Sequence, residues 1–237
     1  MSNPLAGNAA AREAVLARVR KALDRAGGRA AVGSDVNDRR DAAEAYVAGH
    51  RQGPRPRIPA ALVAHFMQRA TDMASTLDRV ESPEEIPAAV ARYVDALVLP
   101  PALAAQRARR GVCWPELALL DWRGAGLDIE ARPATGADRL AITGAFCAIA
   151  ETGTLVFLSG ADTPTGATLL PDTHVAVVRV DRIVAGMEDA FALVRAERGS
   201  VPRAMNLISG PSRTGDIEQT IVLGAHGPFR MHVVLLG

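Results

Sequence analysis

The sequence predicts an α/β protein: a mixed, mostly parallel sheet flanked by helices, with a helical extension at the N-terminus. Three observations predict it. Apolar runs of strand length alternate with amphipathic stretches of helical period from about residue 59 onward. Those runs are bounded by turn residues and are largely continuous, as in strands covered on both faces. The first 58 residues differ, carrying one amphipathic stripe and then a proline-broken basic connector, so the chain divides into an extension over 1–58 and an α/β domain over 59–237.

Composition sets the bounds. At 237 residues and 49% hydrophobic content the chain supports one full domain and an appendage. Its 27 basic and 26 acidic side chains give a net charge of +1, too weak a field for nucleic acid or an anionic membrane as partner, so any anion site must be local. The two cysteines, Cys113 and Cys147, match neither a metal-ligand spacing nor a disulfide framework. With no apolar N-terminal signal and no apolar run of membrane-spanning length, a cytoplasmic protein is expected.

In chain order, Met1–Asn8 reads as unstructured. Arg12–Leu23 reads as a helix, with Val15, Leu16, Val19 and Leu23 on one stripe and an end at Gly27-Gly28. Arg29–Asn37 is turn-rich, and Asp41–His50 suits a short second helix. The connector Arg51–Arg57 reads as a solvated linker rather than a nucleic-acid arm, because no aromatics interleave its arginines.

The domain opens with a helix over Leu62–Met73 and a strand over Thr76–Val80. Ser82-Pro83-Glu84-Glu85 starts the next helix, running to Tyr93, with serine as cap and two glutamates at the positive end of the dipole. A strand over Ala96–Leu99 stops at Pro100-Pro101, and Leu117–Asp121 returns to the sheet before a loop over Gly124–Gly136. Next, Ile142–Gly160 pairs two apolar runs around the polar corner Glu151-Thr152-Gly153-Thr154, with glycine placed for positive φ. Gly160–Leu170 is a loop. His174–Val180 is a strand, followed by a helix over Asp181–Arg195 capped by Asp181. Asn206–Ser209 is a short strand, Asp216–Leu223 leans to helix over strand, and the tail Met231–Leu236 is apolar.

Two segments carry chemistry. After Ser209 the loop offers Gly210, Ser212, Arg213 and Thr214 as hydroxyl, backbone and guanidinium donors, placed as if beyond the carboxyl end of a sheet strand. Arg213 suits two-point capture of a carboxylate or phosphate, and a helix from Asp216 would add its N-terminal amides. An ordinary loop, with Arg213 paired to Asp216, fits the same residues. At the other segment Glu151 is either a hairpin glutamate facing water or a cleft carboxylate, with Thr152, Gly153 and Thr154 beside it. His226, between Gly224 and Gly227-Pro228, is either a proton carrier at the cleft or a turn residue. His174 is placed to reach the same cleft and His232 reads as structural. His174, Asp216, Glu218 and His226 follow no recognised metal pattern, so no metal site is assigned, although Asp216 and Glu218 stay among the cleft residues. Cys147 suits a small core position.

Ala150–Thr154, taken with Leu207–Thr220 and Gly224–Pro228, resembles the signature of the lactate-utilisation protein C family of LUD-domain proteins. The resemblance runs from roughly Pro59 to Gly237, and Arg12–Leu23 is similar to the family's opening segment. It implies a fold similar to the ribose-phosphate isomerase and CoA-transferase class. It also implies action with two partners, one cysteine-rich and one carrying iron–sulfur clusters, in oxidising L-lactate to pyruvate. With two cysteines this chain cannot hold such clusters, so no cofactor is expected in it and the clusters belong to the partners. CoA transferases of that class form an acyl intermediate on a loop glutamate, which invites comparison with Glu151. Two readings therefore stand. One is a subunit of a lactate-oxidising assembly with a cleft for a small carboxylate or phosphate. The other is a free-standing enzyme using Glu151 as nucleophile or base, His226 as proton carrier and Arg213 to hold an anionic substrate.

Overall fold

A computed structural model describes residues 4–25, 33–49, 52–97, 109–217, 220–224 and 226–237. The chain forms two compact units, Met1–Pro54 and Arg55–Gly237. The first holds α1 (Pro4–Arg25) and α2 (Gly33–Ala48). Both exceed the expected helices. Helix α1 takes in residues 4–8, expected to be unstructured, and α2 takes in residues 33–37, expected as turn. Every described side chain from 36 to 49 is exposed, so α2 has no apolar stripe to betray its period. Gly27, Gly28 and His50 lie outside the described residues. Val15 and Val19 of α1 are exposed.

The second unit is layered. Its centre is a six-stranded sheet, entirely parallel, in the order β1 (Thr76–Val80), β12 (Arg230–Leu236), β7 (Thr173–Arg179), β4 (Leu140–Gly144), β2 (Arg110–Cys113), β3 (Asp128–Ala131). Continuous burial along β4, β7 and β12 fits strands covered on both faces. On one face α4 (Ile86–Ala96) packs Ile86, Val90 and Val94 against Ile142, Val175 and Val234. On the other, Phe66 and Ala70 of α3 (Leu62–Asp72) share a core with Ala141, Ala176 and Val233. That core also takes Leu155 and Phe157 from a second sheet, ordered β8 (Ile183–Val184), β5 (Cys147–Ile149), β6 (Thr154–Leu158), β9 (Met205–Ile208). The outer face of this sheet buries Cys147, Ile149 and Val156 under Ala190 and Val194 of α5 (Met187–Arg198).

The expected hairpin is present, with β5 and β6 antiparallel and Gly153 at φ +66°. Several expectations need correction. Leu117–Asp121 is not a strand: Pro115 opens a 3₁₀ turn over Pro115–Leu117, and Leu119 is 99% exposed, which a sheet strand would not allow. Within the expected loop over Gly124–Gly136 lies β3, an edge strand with no buried residue. Ala96 ends α4 instead of opening a strand, and residues 98–108, including Pro100-Pro101, lie outside the described residues. Ser82 makes no side-chain cap; a 3₁₀ turn over Pro83–Glu85 leads into α4. Asp181 does not cap a helix either, because its carboxylate accepts two hydrogen bonds from Arg179. Ile183 enters β8, and α5 begins only after Gly186, whose amide donates to the Asp189 carboxylate at 2.9 Å. Asp216–Leu223 is not helical: β10 (Arg213–Ile217) and β11 (Thr220–Leu223) form an antiparallel pair. The β-branched run Thr220-Ile221-Val222 favours that outcome over the helical spacing of Ile217 and Ile221. Among the described residues no helix is long and apolar enough to cross a membrane.

Candidate functional site

The hairpin corner and the loop after β9 meet over the end of α3. At Gly153 an added Cβ would lie 2.5 Å from the Ala70 amide nitrogen, so the corner rests on the helix backbone. Gly210, at φ +76°, presses in the same way on the Met73 carbonyl that follows α3. Between these two contacts runs a chain of hydroxyls. Thr152 Oγ1 and Thr154 Oγ1 are 2.6 Å apart, and Thr154 Oγ1 and Ser209 Oγ are again 2.6 Å apart. Thr154 is buried, so each of its links is made in a medium where an unmet hydroxyl is costly.

Glu151 is held differently. Its amide donates to Ala185 O at 3.0 Å, and its own carbonyl accepts from Arg69 Nε at 3.3 Å. The half-buried carboxylate lies by Gly186, where Arg55 Nη2 and Glu188 Oε2 also crowd the glycine. Arg55, from the connector, pairs with Asp189 and lies 3.7 Å from Glu188. Its guanidinium pKa is raised chiefly by the hydrogen bond to Asp189, with smaller contributions from the charges of Asp189, Glu188 and Glu151. Arg55 is thus part of the domain and not a free linker charge.

The remaining predicted residues sit on the loop and hairpin that follow. Ser212 N donates to Pro228 O at 2.9 Å, and its hydroxyl accepts from His226 N at 3.4 Å. Arg213, Thr214 and Asp216 belong to β10; Arg213 and the His226 side chain are exposed. Glu218 lies outside the described residues. The structure therefore joins Thr152, Thr154 and Ser209, and separately Ser212 and His226. It gives Glu151 no ion pair or hydrogen bond to Arg213 or His226. With a hairpin in place of a helix, the expected N-terminal amides are absent from the loop over 209–214.

The location of this group is also corrected. Strand β9 lies in the mixed sheet, and the loop after it packs on Met73, just before β1, and on Pro228, just before β12. Those are amino ends of the parallel strands. The carboxyl ends, where ligands of open sheets gather, lie across the domain. His174 does not face the cleft: it is fully buried in β7, its Nε2 is 2.8 Å from Thr143 Oγ1, and burial pushes its pKa down to about 3. His232 is buried against Tyr93, as its place in an apolar strand suggests. Cys147 is a core residue, and burial pushes its thiol up to about 11. Among the described residues no three His, Cys, Asp or Glu side chains gather as metal ligands. Arg55 beside Glu151 is not legible in the sequence, since only the fold brings a connector residue to the start of α5.

These features define the class first: an open, parallel α/β sheet backed by a second, mixed sheet, with a polar corner of Thr, Ser and Glu residues seated on a helix end. The LUD domain family model matches residues 116–236. A Deinococcus radiodurans protein named lactate utilization protein C is 34% identical over 191 residues, covering 78% of this chain and 84% of that one. Proteins of the same name from Bacillus licheniformis and Bacillus subtilis are 31% and 38% identical over 128 and 91 residues. The matched stretch spans 53% and 38% of those two proteins. The crystal structure of a DUF162 family protein from Deinococcus radiodurans superimposes with a TM-score of 0.54 at 27% identity, covering 77% of this chain and all of that one. The chain belongs to the LUD-domain family.

Proposed function

We propose that this chain serves lactate utilisation as a subunit of an assembly that oxidises L-lactate to pyruvate with iron–sulfur partner proteins. The observation that carries the reading is the 34% identity to a lactate utilization protein C over most of both chains. The chain's own chemistry fits a subunit that carries no cluster. Its two cysteines, Cys113 and Cys147, are buried in the core and too few to ligate one. Exposed Val15 and Val19 on α1 offer a face for a partner. The exposed guanidinium of Arg213, next in sequence to Ser212, whose hydroxyl meets the His226 amide, is the group for a small carboxylate or phosphate.

The reading as a free-standing CoA-transferase or isomerase requires a substrate that bridges Glu151 and Arg213. Glu151 turns toward Arg55 and Glu188, away from any contact with Arg213. Co-expression with the two partners tests the subunit role: tagged chain is expected to carry an iron–sulfur protein through size-exclusion chromatography at micromolar concentration. Elution alone would overturn it.

A further inference from the structure

The carboxyl edge of the parallel sheet holds a crevice that the polar corner does not use. Strands β1 and β2 leave the sheet toward the face covered by α4: Ile86 of α4, and Leu117 beyond β2, pack into that core. Strands β4 and β7 leave toward the opposite face, where Ala148 and Ile183 join the core under the second sheet. Chain exits that diverge to opposite faces open a gap at the strand ends, the usual place for a ligand in an open α/β sheet. Here the gap is a cavity of about 310 Å³, at the lower end of the range for small-molecule pockets.

Its lining is mostly apolar, with three charged side chains, Glu116, Arg179 and Arg182. Ile86, Leu117, Leu120, Val177 and Leu236 supply apolar lining. Two arginines reach the cavity, and both are already neutralised. Arg179 donates two hydrogen bonds to Asp181. Arg182 donates two to Glu197 and a third to Phe146 O, with its guanidinium 4.7 Å from the Phe146 ring centre. Glu116 differs: it lines the cavity, and its carboxylate forms no hydrogen bond or ion pair with any described residue. Its carboxylate lies where a side chain on Gly144 would stand, so the missing Cβ at the end of β4 is what lets Glu116 lean over the cavity. Among the described residues the charge left over at this edge is therefore one exposed carboxylate beside an apolar well.

We infer that this crevice binds a small ligand with a ring-sized apolar body and a neutral or cationic head group that donates a hydrogen bond to Glu116. Anions are disfavoured, because each arginine already has its own carboxylate partner, Asp181 or Glu197, and the unpaired charge among the described residues is negative. The site is separate from the polar corner and stands independently of the lactate reading.

Three probes sharing one phenyl body, benzylamine, benzyl alcohol and benzoate, separate the contributions when titrated into the full chain by calorimetry or NMR. Benzylamine is expected to bind most tightly and benzoate at least about tenfold more weakly. Glu116→Gln should bring benzylamine to the level of benzyl alcohol. Gly144→Ala should do the same while keeping the carboxylate, by displacing it from the cavity. Equal affinities, a preference for benzoate, no binding by any probe at millimolar concentration, or an unchanged benzylamine preference in Glu116→Gln would overturn the assignment.

Discussion

Gly210→Ala is expected to destabilise the protein by about 3 kcal/mol, the sum of a left-handed backbone forced on a residue with a side chain and a methyl driven into packed backbone. At φ +76° the position already disfavours alanine, and the new Cβ would overlap the Met73 carbonyl. Relief requires the loop after β9 to lift from the end of α3, which would pull Ser209 from Thr154 and open the hydroxyl chain. Gly199 is the control. It has φ +69° and ψ −32° but nothing within 4 Å of where a methyl would stand, so its alanine variant bears only the backbone cost, on the order of 1–2 kcal/mol. Thermal denaturation should separate the two by several degrees. Equal melting temperatures would mean that the loop does not rest on α3.

Acid should weaken the fold well before its carboxylates titrate. His174 is fully buried, with Nδ1 lacking a partner among the described residues, and burial holds its pKa down to about 3. His232, paired with Thr76 at 2.8 Å and stacked on Tyr93 with ring centres 4.0 Å apart, is pushed down to about 4 by burial, countered in part by Asp78. Both folded values lie below the unfolded histidine value of about 6.5, so the unfolded chain binds more protons in between. Their stabilising effect is complete above about pH 6.5 and is lost as pH falls toward 4, at up to about 1.4 kcal/mol per pH unit for each ring. Asp138, held below the usual carboxylate range by two hydrogen bonds from Arg132, stabilises the fold throughout this window and loses that contribution only as pH falls below the unfolded carboxylate value of about 3.9. Urea denaturation between pH 7 and 4.5 measures the slope. Replacing His174 and its partner together, as His174→Leu with Thr143→Val, should roughly halve it; an unchanged slope would show that His174 does not titrate on unfolding.

The sequence is most legible where burial is two-sided. Runs such as Val175-Ala176-Val177-Val178 and Met231–Leu236 are apolar because both sheet faces are covered, and they read as strands for that reason. The signal fades at edges. Strand β3 has mostly exposed residues, and the four residues of β2 are too few to stand out. Local propensity misleads where strand pairing decides the outcome: Ile183 suits a helix position but is claimed by β5, and β10 and β11 pair with each other. At the site, Gly153 and the hydroxyls are readable as a tight polar corner. Their partners are not, because Arg55 and Glu151 are brought together only by the fold, and Glu116 meets Gly144 only because β2 and β4 are neighbours. The group around Ser209 reads as lying at strand carboxyl ends because a short strand precedes it. That strand belongs to the second sheet, which no local pattern reveals.

Whether this chain is a working part of lactate oxidation is tested most directly by lactate-dependent dye reduction by the two proposed partners, one cysteine-rich and one carrying iron–sulfur clusters, measured with and without the full chain. Addition of the chain is expected to raise the rate severalfold, with Arg213→Ala raising the half-saturating lactate concentration by about tenfold through the lost carboxylate clamp. A full rate from the partners alone, unchanged when the chain is added, would contradict the subunit role.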